Sequence, residues 1–132
     1  MSLDTIRLSQ GGRDQLIQLK RRTGIEHWNT LSRWGLCMSL AETSAPRAQP
    51  IPSDSSIEMA WRTFSGVHDE VYRGLLGYRF AQEVSDETTS LEHMRRHLHR
   101  GIGYLAGDPR RMSIAGLLSI AVDAWEASES DA

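Results

Sequence analysis

A chain of 132 residues with 39% apolar residues and a net charge of −2 is long enough for one core of ordinary size, and a second domain is not expected. No apolar run approaches the roughly 18 residues of a bilayer-spanning helix, and the opening MSLDTIRLSQ lacks the apolar stretch of a secretory signal, so no membrane partner is expected and the cytoplasm is the expected location. The single cysteine, Cys37, excludes an internal disulfide and a zinc site of the CxxC type.

Residues 5–8, TIRL, alternate polar and apolar, which predicts a short strand with Ile6 and Leu8 on one face. Ser9 has the chemistry of an N-cap, and a first helix is expected to run to about Arg22. Leu16, Leu19 and Ile17 would be buried, with Arg13, Asp14, Gln18, Lys20 and Arg21 outside. Gly24 should end this helix, and Thr23 with Glu26 has the spacing of a capping box for the next. That next helix, about 26–42, carries Trp28, Leu31, Gly35 and Met38 on one stripe and Trp34, Leu36, Cys37 and Leu40 on its other sides. A helix apolar nearly all round implies burial in something larger than its own neighbours, hence a homo-oligomer.

Residues 43–56, TSAPRAQPIPSDSS, hold three of the four prolines and read as an exposed connection between a unit at 1–42 and a helical unit at 57–126. Residues 57–64 are expected to form a second short strand with Ile57, Met59 and Trp61 on one face. A helix from about 68 to 84 should bury Val71, Leu75, Tyr78 or the neighbouring Leu76, and Phe80. Thr89 with Glu92 makes a second capping box for a helix burying Leu91, Met94, Leu98, Ile102 and Leu105. Gly101 and Gly103 weaken that helix by about 1 kcal/mol each unless something packs closely there. Asp108-Pro109 should cap a last helix to about Trp125, leaving residues 127–132 as a disordered tail. The expected fold is mainly α, a small helical domain with a short strand or two.

Charge is segregated along the chain. Residues 1–41, 42–88, 89–112 and 113–132 carry +3, −4, +3 and −4. Because exposed charges are screened beyond about 8–10 Å, a polyanion would sense a local face, and net acidity does not exclude nucleic acid. Fourteen of the fifteen cations are arginine, whose planar fork grips phosphate through two bonds. Lys20, Arg21 and Arg22 form the densest cationic run.

Strand, helix, tight turn, helix is the order of a ribbon-helix-helix unit, in which two chains pair strands and Thr5 and Arg7 would face outward. The segments IRLSQGGRDQLIQLKRRTGIEHWNTLSRWGLCMSLAE, WRTFSGVHDEVYRGLLGYR and HLHRGIGYLAG, within about residues 6–118, resemble the DndE family. That family is the small component of bacterial DNA phosphorothioation systems, which replace a non-bridging phosphate oxygen with sulfur. The resemblance implies an oligomer, a tetramer before a dimer, that is non-catalytic, partners the sulfur-inserting proteins and contacts double-stranded DNA through a basic surface. The family's basic stretch at the end of the first helix falls here on Lys20, Arg21 and Arg22. This chain departs from lysine-rich relatives in using arginine, and in its longer acidic tail.

Arg7, Arg13, Lys20, Arg21 and Arg22 are therefore the candidate DNA contacts. The competing reading of the trio is favourable interaction with the helix dipole. Cys37 could carry sulfur as a persulfide, but its place between Leu36 and Met38 on a helix expected to be buried argues for packing. His93 and His97 lie one turn apart with His99 following. The HExxH pattern is absent and Arg95 and Arg96 would repel a cation, so packing and hydrogen bonding are expected in place of metal. No phosphate loop or GxSxG occurs, no cofactor is expected, and intrinsic catalysis is not expected. Three functions remain open: a DNA-binding accessory subunit of the phosphorothioation complex, a protein-binding scaffold of that complex, and a ribbon-helix-helix regulator.

Overall fold

Ser9 starts the first helix as its chemistry predicts: its hydroxyl accepts the Gly12 N–H at 3.0 Å, supplying one of the four backbone donors a helix start leaves unpaired. The computed structural model describes residues 3–111 and 113–130. Strand β1 (Thr5–Arg7) leads into α1 (Gln10–Thr23), which ends at Gly24 with φ +78. Only glycine occupies that left-handed region without penalty. Helix α2 (Trp28–Leu40) follows, then a connection to β2 (Glu58–Ala60), α3 (Trp61–Ser65) and a 3₁₀ turn at Gly66–His68. Helices α4 (Asp69–Glu83) and α5 (Ser90–Ala106), a 3₁₀ turn at Pro109–Arg111 and α6 (Ile114–Ser130) complete the order. The fold is mainly α with one short strand pair, and no described helix is long and apolar enough to cross a membrane.

The two strands pair antiparallel within the chain, Ile6 opposite Met59, so the inward pair is apolar and Arg7 faces Glu58 on the outer side. This corrects the ribbon-helix-helix expectation at one point: the partner of β1 is β2 of the same chain. The Leu8 N–H to Ile57 carbonyl bond (3.0 Å) and the Trp61 N–H to Asp4 carbonyl bond (3.0 Å) extend the ladder at both ends.

The core lies between α1, α2 and α5. Leu16 and Leu19 from α1, Leu31 and Leu36 from α2, and Met94, Leu98, Ile102 and Leu105 from α5 are buried, with Ile6, Met59, Trp61 and Phe64 closing one end. Helices α2 and α5 cross at glycine: a Cβ on Gly101 would stand 1.5 Å from the Gly35 carbonyl oxygen, so the two backbones touch. That close packing is what the glycine in α5 serves. Within the chain α1, α3 and α5 cover Leu31, Gly35 and Leu36 of α2, while Trp28, Trp34, Met38 and Leu40 are half-buried and Cys37 is exposed, so this helix is apolar on more sides than the chain itself buries.

Several local expectations change. Thr23 does not cap α2; its hydroxyl donates to the Leu19 carbonyl at 2.6 Å and accepts from Ile25 N–H, and His27 precedes α2 without a side-chain cap. On α4, Leu76 is buried and Tyr72 and Phe80 are half-buried, whereas Val71, Leu75 and Tyr78 are exposed. Two apolar stripes run along that helix, and the one at 72, 76 and 80 packs inward. Thr89 caps α5 as expected, accepting from Glu92 N–H. The last helix is capped by Ser113, whose hydroxyl accepts from Gly116 N–H, and it runs to Ser130, past Trp125, because residues 126–130 (EASES) contain no Gly or Pro. Residues 131 and 132 of the expected tail lie outside the described residues.

Connection 43–56 is exposed yet fixed. Buried Arg95 donates through Nε to the Arg7 carbonyl (2.9 Å) and through its two Nη atoms to the carbonyls of Ile51 (2.8 Å) and Pro52 (2.7 Å). Ser55 donates to the Leu8 carbonyl at 2.7 Å.

Candidate nucleic-acid interface

The cationic trio occupies the last turn of α1. The Gly24 N–H bonds the Lys20 carbonyl at 2.9 Å, and Thr23 serves Leu19, so these terminal carbonyls are satisfied without the basic side chains. Arg21 and Arg22 are exposed, and among the described residues neither makes a hydrogen bond or an ion pair with another side chain. Lys20 is half-buried with its ammonium 4.8 Å from the Trp28 ring centroid, a cation–π contact that fixes the charge at the junction of α1 and α2.

The other two candidate contacts stand apart. Arg7 is held by Glu58 at 2.6 Å and donates to the Ser55 carbonyl at 3.1 Å. It precedes α1, whereas the trio ends it, a separation of about 20 Å at 1.5 Å per residue. Arg13, loosely paired with Asp14 at 3.9 Å, lies two turns before Lys20, so the two share one stripe of α1 about 10 Å apart. The structure thus groups Lys20, Arg21 and Arg22, places Arg13 on the same stripe as Lys20, and ties Arg7 to the strand pair.

A polar cluster joins α4 to α5, in which His93 and His97 pack and hydrogen-bond as expected, with Glu83 the partner that sequence reasoning missed. Glu83 Oε1 accepts from His93 Nε2 (2.9 Å) and His97 Nε2 (2.8 Å), and Glu83 Oε2 pairs with Arg79. Arg100 can only donate, so its Nε bond to Ser39 Oγ (2.8 Å) leaves the Ser39 hydroxyl proton for His97 Nδ1 (2.8 Å). The His97 proton therefore sits on Nε2 and points at Glu83. Burial lowers the His97 pKa to about 4 against the pull of Glu83. Burial would raise Glu83, but the bonds from His97, His93 and Arg79 hold it at about 2. The three potential ligand atoms lie within 4.8 Å of one another, a spacing that could hold a metal ion. Each is already in a hydrogen bond, and Arg79 and Arg100 border the set, so the arrangement reads as a structural network. The repulsive cations are not those expected: Arg95 and Arg96 turn toward connection 43–56. The sequence signal was present in two i,i+4 pairs, Arg79 with Glu83 and His93 with His97. His99 is separate, taking the Ser9 N–H on Nε2 (3.0 Å) and donating from Nδ1 to the Arg95 carbonyl (2.8 Å).

Cys37 is exposed, contrary to expectation, in a groove of about 320 Å³ lined by Thr30, Arg33, Trp34 and Tyr72. The groove walls still crowd the sulfur. That desolvation raises the thiol pKa, against a hydrogen bond with Tyr72 and the nearby Arg33 charge. A thiol so disposed is a poor nucleophile at neutral pH.

Residues 5–113 match the family described as DndE, DNA sulphur modification protein DndE. Among curated proteins no match is found. The fold is similar to the crystal structure of DndE from Escherichia coli B7A involved in DNA phosphorothioation modification, with 22% identity, 80% of this chain and 98% of that one covered, and a TM-score of 0.67. It is also similar to a glycine-to-lysine double mutant of DndE involved in DNA phosphorothioation, with 20% identity, 81% and 100% coverage and a TM-score of 0.63. At these identities the likeness is one of fold. Helix α6 lies beyond the matched segment.

Proposed function

The chain belongs to the DndE family of DNA sulphur modification proteins, and from that premise we propose that it is a non-catalytic, DNA-contacting subunit of a cytoplasmic phosphorothioation assembly. Membership in that system implies other phosphorothioation proteins as partners. One observation carries the DNA-contacting role: Arg21 and Arg22 are exposed and, among the described residues, have no side-chain partner, beside Lys20, at a helix end whose carbonyls at Leu19 and Lys20 are closed by Thr23 and Gly24. The helix dipole favours cations in this last turn whether or not they bond its carbonyls, but among the described residues no capping bond ties down the Arg21 and Arg22 forks. Free guanidinium forks suit phosphate oxygens, and phosphate contacts position a protein on DNA without reading sequence. The ribbon-helix-helix regulator draws no support, because Arg7 is paired with Glu58 and β1 with β2.

Copies of the chain would bring several trios together, and a tetramer is the favoured assembly. What supports assembly is a pair of exposed apolar faces: Val67, Val71, Leu75 and Tyr78 at α4, and Ile114, Leu118, Val122 and Trp125 on α6. The same faces favour a second reading, a protein-docking scaffold within the complex.

Fluorescence anisotropy with duplex DNA at two salt concentrations tests the reading. The logarithm of affinity should fall with the logarithm of salt at about −0.9 per phosphate contact. Replacing the trio by Lys20→Gln, Arg21→Gln and Arg22→Gln should weaken binding to all sequences alike and flatten that slope. A triple variant that binds as the parent does would move the trio to a protein partner and put the scaffold first.

A further inference from the structure

One cleft lies away from the α1 trio, where connection 43–56 passes over α5. It has a volume of about 520 Å³, and its lining includes Arg47, Arg96, Arg100, Gln49, Pro46 and Ile51, with no carboxylate. Arg96 and Arg100 sit one turn apart on α5, an arrangement in which like charges repel. Each is anchored. Arg96 donates from Nε to the Gln49 carbonyl at 3.0 Å and, at 3.5 Å, from Nη1 to Thr88 Oγ1. Arg100 donates from Nε and Nη2 to Ser39 Oγ and the Ser39 carbonyl (2.8 and 2.9 Å) and, at 3.4 Å, from Nη1 to Ser44 Oγ, and it lies over the Tyr104 ring. A guanidinium carries five N–H groups, so each fork keeps donors beyond these bonds. The Arg47 carbonyl accepts the Gln49 N–H at 2.9 Å, but its side chain is exposed and, among the described residues, makes no hydrogen bond or ion pair, so no structural role holds that guanidinium at the cleft. The Arg95 bonds to Ile51 and Pro52 hold the opposite wall in place, so the cleft is preformed.

The geometry points to a second phosphate site: the cleft binds a phosphate ester of a nucleoside, its phosphate on Arg47, Arg96 and Arg100 and its less polar part against Pro46 and Ile51. Three cations converging without a carboxylate select an anion, and the volume is that of a site for a small organic ligand rather than a bare ion. The cleft is distinct from the trio. His99, which also lines it, holds Ser9 at the start of α1, about 17 Å along the helix from Lys20. The inference therefore stands or falls apart from the role given to Lys20, Arg21 and Arg22.

Calorimetric titration of the full chain at low salt with deoxyadenosine 5′-monophosphate, deoxyadenosine and inorganic phosphate tests it. The nucleotide should bind about tenfold or more tightly than the nucleoside, as expected for loss of charge-assisted hydrogen bonds. Arg47→Gln should weaken nucleotide binding, and Arg47→Glu more so, with an unchanged thermal midpoint because the Arg47 side chain supports nothing in the fold. The triple substitution of the α1 trio should leave nucleotide affinity as it was. A duplex oligonucleotide that displaces the bound nucleotide assigns the site to a strand phosphate; one that leaves it in place assigns it to a free nucleotide. The site is overturned if deoxyadenosine binds as tightly as its phosphate, if none of the three probes binds, or if Arg47→Glu and Arg96→Gln both leave nucleotide affinity unchanged.

Discussion

Gly101→Ala should destabilise the protein strongly, while Gly103→Ala, two residues on in the same helix, should stabilise it. At Gly101 the new Cβ would lie 1.5 Å from the Gly35 carbonyl oxygen and 2.3 Å from its carbonyl carbon. The obstacle is backbone, so no side chain can rotate aside, and α2 must retreat roughly 2 Å to restore ordinary contact of at least 3.4 Å. A gap of even 0.5–1 Å forfeits about a quarter to a half of each dispersion contact, and this interface includes Leu36, Leu98 and Ile102. Overpacking of side chains costs about 1–3 kcal/mol, and a rigid backbone clash belongs at or beyond the top of that range. The helix-propensity gain from Gly to Ala offsets only about 1 kcal/mol, leaving a net loss of about 2 kcal/mol or more. That is a large fraction of an ordinary domain's stability. At Gly103 the nearest atom to a new Cβ is Gln15 Nε2 at 4.0 Å, so the propensity gain of up to about 1 kcal/mol stands unopposed. Urea titration followed by helical circular dichroism reads both. With a slope of about 1–3 kcal/mol per molar, the Gly101→Ala midpoint should fall by about 1 M or more. A Gly101→Ala variant within about 0.5 kcal/mol of the parent would mean that α2 and α5 do not cross at these glycines, since changes that small are typical of surface substitutions.

Acid should weaken the fold. The folded pKa values of His97 and His99 lie below 6.5 and that of Glu83 below 4.5, so the unfolded chain binds more protons on the acid side. The histidine contribution is complete above about pH 6.5 and is lost as pH falls toward about 4, with Glu83 adding a loss below about 4.5; a urea midpoint unchanged from neutral pH to pH 4 would refute this. Cys37, accessible but with a raised pKa, should react with iodoacetamide at neutral pH more slowly than a free cysteine, and a faster rate would revive a chemical role. Val71→Asp with Leu75→Asp should lower the solution mass measured by light scattering while preserving helix content, and an unchanged mass would remove the α4 face from the assembly interface.

What could be read from the chain was what is local. Ser9, Gly24 and Thr89 mark ends of α1 and α5 through their own backbone or hydroxyl chemistry, so the trio at the end of α1 was visible in advance. The α4 face was read only in part, Leu76 and Phe80 rightly and Val71, Leu75 and Tyr78 not, because residues 71, 75 and 78 and residues 72, 76 and 80 offer equally apolar stripes, and periodicity alone cannot choose between them. Thr23 escaped because the Leu19 carbonyl competes for its hydroxyl. The Arg7–Glu58 pair and the Arg95 bonds join residues 51, 88 and 44 positions apart, beyond the reach of any local rule. The exposure of Cys37 depends on where α4 leaves the α2 surface open, which is likewise a tertiary matter.

The bonds from α5 to the start of the chain also govern how the protein is made. Strand β1 finds its partner only when β2, more than fifty positions later, has been synthesised, and the Ser9 N–H meets His99 Nε2 across 90 positions. At about 5–20 residues per second, the first strand waits several seconds on the ribosome with its edge unpaired. The strand-helix-helix order at the start of the chain thus draws part of its native contacts from residues far downstream. The strand pair can close once β2 has emerged, whereas the pinned connection and the α2–α5 crossing must wait for α5, so the native contacts of the first elements are completed in that order along the chain.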